Sequence, residues 1–291
     1  MIQRNTKGIV LFFLIVVALG VPYRLLGLRA AALALRAQTS LPLEPFRDSG
    51  ASVTGALEGW YKNQDGSFSI LVGYFNRNQK QIIDIPVGAD NHIDPGGPDQ
   101  GQPTHFLPRR QWGVFTITVP KDFGNKRLIW TVTANGQTTT VPLHLDPQWI
   151  VTPFEDPGVG NTPPVVRFQP GGTVFTGPPR GIAQTYSAKV GEALPLTVWV
   201  SDDGKIPPES RPRQGPPANV VWSMFRGPGA VTFEKDRPTV ATEDGKASTN
   251  ATFSAAGDYT LRIQSNDASG DGGGGFQCCW TNVHVKVSVK P

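Results

Sequence analysis

From residue 50 onward the chain carries no long stretch with apolar residues at helical spacing. Short runs of alternating apolar and polar positions recur instead, punctuated by Gly, Pro, Asn and Asp. That period places successive side chains on opposite faces of a strand, so the body is predicted to be all-β. In the first half the runs predict strands at 53–60, 68–75, 81–87, 113–119, 128–134 and 138–145. Asn135-Gly136 joins the last two as a two-residue hairpin, because both residues tolerate the positive φ of a type I′ turn. Phe115, Ile117 and Val119 share one face, as do Leu128, Trp130 and Val132, and Val141, Leu143 and Leu145. These nine are the expected first core.

The stretch 146–180 is rich in proline and glycine and has no alternation longer than 165–168, so a domain boundary is expected near Asn161. Strands are predicted beyond it at 194–201, 219–225, 231–233, 247–255, 259–265 and 281–289, spaced as in a Greek-key sandwich. The organisation expected is a signal or anchor at 1–37, then two tandem immunoglobulin-like β-sandwich domains. The first occupies 50–150 and the second 161–291, with 151–180 holding the linker and the first strand of the second domain.

The N-terminus follows a different pattern. Arg4 and Lys7 precede an apolar run from Ile9 to Val21 that ends at Pro22, the charged and hydrophobic regions of an export signal. Small residues at 32–37 offer cleavage points but lie well beyond the apolar run. An uncleaved anchor over residues 8–28 is the alternative, weakened by Pro22 and Arg24. Either outcome puts the body in the periplasm, the cell envelope or the extracellular space, touching membrane only through an uncleaved N-terminus. The formal charge of +4 includes Arg4, Lys7, Arg24, Arg29 and Arg36, so the remainder is 4 − 5 = −1. A nucleic-acid-binding body is therefore not expected.

Four pieces of the second half occur in a telling order: Asn161-Thr162-Pro163-Pro164-Val165, Val221-Trp222-Ser223, Gly227-Pro228-Gly229-Ala230-Val231-Thr232-Phe233, and the run from Ala251 through Gly257-Asp258-Tyr259 to Leu261. Together they resemble PKD-like and related immunoglobulin-like domains of bacterial exported and surface proteins, over about residues 161–290. The resemblance implies a β-sandwich with a spacer, adhesion or assembly role and does not imply catalysis. Read by their own chemistry, Trp222 is a ring for the space between sheets, and Tyr259 fits a tyrosine corner whose hydroxyl bonds nearby backbone.

Candidate chemistry gathers in the segment 266–280, the loop between the last two strands. In a sandwich this loop emerges at the same end as Asp202 and Asp203, so those residues could approach Asn266, Asp267 and Asp271. Clustered hard oxygens suit calcium, against the plainer reading that short acidic residues make turns. No other cofactor is called for. Cys278 and Cys279 are the only cysteines and are adjacent. They admit a strained vicinal disulfide, free thiols, or an intermolecular bond through Cys278. Alternation from Val283 backward points Cys279 inward and Cys278 and Trp280 outward.

In the first half, residues 90–111 are predicted to be a long loop. His105, Arg109 and Trp112 are its candidate ligand-binding residues, with Arg110 beside them for an anion or acidic glycan and Trp60 and Tyr61 completing a stacking surface. The plainer reading buries Phe106 and Leu107 in a packed loop. His144 and His284 fall on the outward phase of their strands, and His92 in a turn. The sequence has no GxSxG, HExxH, Walker A or GxGxxG signature. The function expected is an exported non-catalytic protein that binds, adheres or assembles through a protein or glycan partner at the cell surface. The alternative is a carbohydrate-binding or accessory module of a secreted hydrolytic system.

Overall fold

The computed structural model describes residues 47–205, 216, 218–267 and 278–291. The expected signal segment and Asp271 lie outside the described residues. Among those residues, no helix is long and apolar enough to cross a membrane.

The first half holds β1 (Val53–Lys62), β2 (Phe68–Asn76), β3 (Ile83–Asp84), β4 (Asn91–Asp94), β5 (His105–Phe106), β6 (Arg109–Val119), β7 (Leu128–Ala134) and β8 (Gln137–Leu143). They form the antiparallel sheets β1-β2-β6 and β4-β7-β8 and the short pair β3-β5. Asn135 and Gly136 take φ of 50° and 74° between β7 and β8, as the hairpin chemistry requires. Phe115, Ile117, Val119, Leu128, Trp130, Val132 and Leu143 are buried in one core, with Val141 and Leu145 packed against it.

The second half holds β9 (Val165–Arg167), β10 (Ile182–Lys189), β11 (Leu194–Ser201), β12 (Val221–Arg226), β13 (Val231–Phe233), β14 (Lys246–Phe253), β15 (Gly257–Asn266) and β16 (Trp280–Lys290). Two four-stranded sheets, β10-β16-β15-β12 and β13-β14-β11-β9, enclose a second core around Trp222, Phe253 and Tyr259. The Tyr259 hydroxyl donates to Ala255 O at 2.9 Å, which gives the expected tyrosine corner its hydrogen bond. β10 joins its sheet by pairing parallel to β16, while every other neighbouring pair in the two sheets runs antiparallel.

Several local expectations give way. The 81–87 strand shrinks to β3, and the predicted loop 90–111 contains β4, β5 and the start of β6. Phe106 is nonetheless fully buried there. β10 escapes the pattern because it is a sheet edge, largely exposed, and carries Gln184, Thr185 and Ser187 among its apolar residues. His92 lies within β4 rather than in a turn. His144, His284, Cys278 and Trp280 are all buried instead of facing outward. For His284 and Trp280 the reason is the same: the first half packs over this face of β16 and β15.

That packing makes residues 46–291 one compact unit with two cores. Phe225, at the end of β12, is buried in the first half's core rather than its own. Its ring lies 4.3 Å from that of His284, and its carbonyl accepts a hydrogen bond from Thr104 N. Beside it Arg226 makes a two-point ion pair to Asp99, at 2.8 and 3.0 Å, and donates Nε to Gln102 O.

Candidate functional site

Two polar clusters stand out: one at the loop end of the second half, one between the halves. The loop-end cluster starts from turn chemistry. Where β11 ends, Asp202 and Asp203 each accept a backbone N–H two residues on, from Gly204 and Lys205 at 2.9 Å, which bends the chain away from the sheet. Asp267 follows β15 at the same end and is fully buried. Asn161, at the start of the second half, donates Nδ2 to Asp267 Oδ2 at 2.7 Å and so ties the incoming chain to the loop.

Burial pushes the Asp202 carboxyl up to about 6, and the neighbouring charges of Asp267 and Asp203 add to the shift. Asp202 Oδ1 and Asn161 Oδ1 are both buried without a hydrogen-bond partner. Asp203 is engaged elsewhere: it accepts Thr162 N and Oγ1 at 3.1 and 3.0 Å and lies 3.8 Å from Lys205 Nζ. Asn266 bonds Asn219 and Gln264. Among the described residues no three Asp, Glu, His or Cys side chains converge as a metal site. The cluster is thus two carboxylates, Asp202 and Asp267, with the Asn161 amide, which the sequence reading missed. An Asn directly before Thr-Pro-Pro at a domain start was the available signal.

Cys278 and Cys279 form a vicinal disulfide against this cluster, their sulfurs 3.9 and 3.3 Å from Asn161 O. Thr281 Oγ1, just beyond, donates to Pro164 O.

The second cluster grows from irregularities in the first sheet. Ladder register shifts between Leu57 and Gly59 in β1, and β6 carries extra residues opposite Gly73 of β2. The bulge holds Gly113 at φ 53° and turns its N–H toward the Glu58 carboxylate, 2.7 Å away. Arg110 Nη2 lies 2.6 Å from the other Glu58 oxygen. Glu58 is almost wholly buried, and desolvation pushes its pKa up to about 7 despite the Arg110 charge. From the second half, Arg262 reaches across with Nη1 to Gln111 Oε1 at 2.9 Å and Nη2 to Trp112 O at 3.0 Å, while its Nε donates to Asn282 Oδ1 of its own half at 2.7 Å. Asn282 Nδ2 donates to Gly113 O at 3.0 Å. The bulge therefore exposes backbone carbonyls that a buried guanidinium and amide satisfy from the opposite half. His284, facing Val114 in the same seam, is held neutral by burial, its pKa lowered to about 3.

The residues expected from the sequence to bind a ligand in the first half are dispersed around this seam. His105 Nδ1 pairs with Asp84 at 2.7 Å, and Arg109 is exposed at φ 68°. Trp112 lies under the Arg110 guanidinium, 3.8 Å from ring centre to Cζ. Tyr61 is buried edge-on to Phe154, and Trp60 packs edge-on to Phe68 while donating Nε1 to Asp146 O. These rings do not form one platform.

No protein-family model matches the chain, and no curated protein matches it. Solved structures overlap it only loosely. Domains 4 and 5 of the S-layer protein SbsC share 12% identity at a TM-score of 0.24, covering 57% of this chain and 66% of that one. The D00-D0 domain of intimin shares 13% at 0.25, covering 81% and 99%. The adhesin InvE of Yersinia pseudotuberculosis shares 11% at 0.23, covering 82% and 58%. The chain thus spans just under two thirds of the SbsC fragment, and at such scores the overlaps say nothing about what it binds. The fold class rests on the sheets described above: apart from one 3-10 turn at Pro147–Trp149 the regular elements of the described residues are all β-strands, and the second half is a β-sandwich.

Proposed function

We propose that this is an exported, non-catalytic protein of the bacterial envelope or surface that binds, adheres or assembles through two immunoglobulin-like sandwiches, the second PKD-like. The observation that carries the reading is the seam. Two strongly perturbed titratable groups, Glu58 and His284, lie in it with Arg262, packed against the opposite half and buried from solvent. Groups used this way hold two sandwiches in a fixed relation, which suits a spacer or a presenting surface. Reactive chemistry would need them in an open cleft.

At the loop end the reading adds a divalent cation, calcium by its preference for hard oxygen, held by Asp202, Asp267 and Asn161. Asp267 is fully buried, Asp202 is half-buried with its Oδ1 lacking a hydrogen-bond partner among the described residues, and a cation beside them would offset the repulsion that raises the Asp202 carboxyl.

The test of the surface assignment uses the chain in its own host. Intact cells are treated with a membrane-impermeant amine reagent, for which Lys80 and Lys189 are well exposed. Labelling of intact cells, or of the periplasm after outer-membrane permeabilisation, is expected. Labelling only after the cytoplasmic membrane is broken would overturn the assignment.

A further inference from the structure

A cavity of about 820 Å3 opens between the two halves, lined by Ile82, Leu107 and Pro108 on one side and by Val231 and Phe233 on the other. Its volume lies in the range of pockets that take specific ligands. β12 runs along it, and β12 is the outermost strand of its sheet. One face of an edge strand is a row of backbone donors and acceptors with no ladder partner.

Among the described residues that row is occupied only at its ends. Trp222 turns its N–H away from β15 and donates it to Asp236 O at 2.8 Å, and Phe225 O accepts Thr104 N at 3.2 Å. In an antiparallel ladder residues alternate between facing the partner strand and facing away. Since Trp222 faces away from β15, Met224, two residues on and before the register shift, does so too. The Trp222 carbonyl and the Met224 N–H and carbonyl are therefore directed to the groove that both residues line.

We propose that this groove takes an extended polypeptide segment from a partner protein, which adds to the β12 edge and seats an apolar side chain against Ile82 and Leu107. A peptide backbone is the complement that donors and acceptors at strand spacing require. The rim carries charges of both signs, Asp84, Asp236 and Arg237, so charge does not select the ligand. A second copy is a poor occupant because its own β12 is recessed in the same way between the first half and the turn after β12. The groove residue Ile82 is half-exposed. This inference goes beyond the surface assignment and does not depend on where the chain resides.

The test is selection of a displayed random dodecapeptide library on the full chain, followed by binding of the synthetic peptides. Selected peptides are expected to lose at least about tenfold in affinity to Ile82→Arg, and to lose as much when N-methylated at alternating positions that face β12. Exchange of the Met224 amide should slow on binding. Failure to select any peptide, binding indifferent to Ile82→Arg or to N-methylation, or oligosaccharide binding blocked by Ile82→Arg in place of peptide would each overturn the proposal.

Discussion

The Trp280 indole lies so close over Gly113 that a β-carbon at Gly113 would overlap its ring. The two residues belong to different halves, and Gly113 also needs its left-handed φ of 53° to aim its N–H at Glu58. Gly113→Ala is therefore expected to cost about 3 kcal/mol or more, from overpacking and backbone strain together. In thermal melts this is a fall of several degrees. The loss should be smaller when Trp280 is already Leu, because the clash is then relieved. An additive pair of effects would show that the contact is not what constrains Gly113.

Glu58 gives the seam a pH dependence with a definite sign. Its pKa is about 7 in the folded chain against 4.5 as the ordinary value, so the folded state holds the proton more tightly. Its contribution is then fully present below about pH 4.5 and is lost as pH rises through 7. The stability of wild type relative to Glu58→Gln should fall over that window and level off above it. His284 works in the opposite sense: its depressed pKa of about 3 makes its contribution present at pH 6.5 and lost on acidification. Denaturant titrations at several pH values, read as differences from each variant, separate the two.

At the loop end the same sign rule applies to Asp202, whose contribution declines as pH rises from about 4 toward 6. A bound cation would reverse this by favouring the charged carboxylate. The melting temperature of the chain is expected to be lowest in EDTA above pH 6 and to rise with excess calcium. Asp202→Asn and Asp267→Asn should each abolish the calcium increment. A melt indifferent to both EDTA and calcium would remove the cation from the account.

Much of the fold was legible because apolar alternation and turn residues reported the same thing. The phases of β6, β7 and β8 located the first core, and Trp222 and Tyr259 the second. What alternation could not report was which outward face another half would cover. His284 and Trp280 are on the phase expected, yet they are buried by β6 across the seam. Glu58, Arg262 and Asn282 were missed for a related reason: an isolated polar residue in a strand looks solvent-facing unless the bulge that turns Gly113 toward it is visible. The loop end was partly legible. Asp202 and Asp267 do come together, because sandwich topology brings those two loops to one end, but Asp203 turns to Thr162 and Asn161 takes a place in the cluster.

The central claim is that buried charge locks the two halves into one body, and calorimetry of the full chain with and without Arg262 tests it most directly. Removing one partner of a buried charged network costs about 3–5 kcal/mol, here concentrated in the seam. Wild type should unfold in a single transition with equal calorimetric and van't Hoff enthalpies, and Arg262→Ala should split it into two. Two transitions already in wild type, or one unshifted transition in Arg262→Ala, would contradict the account.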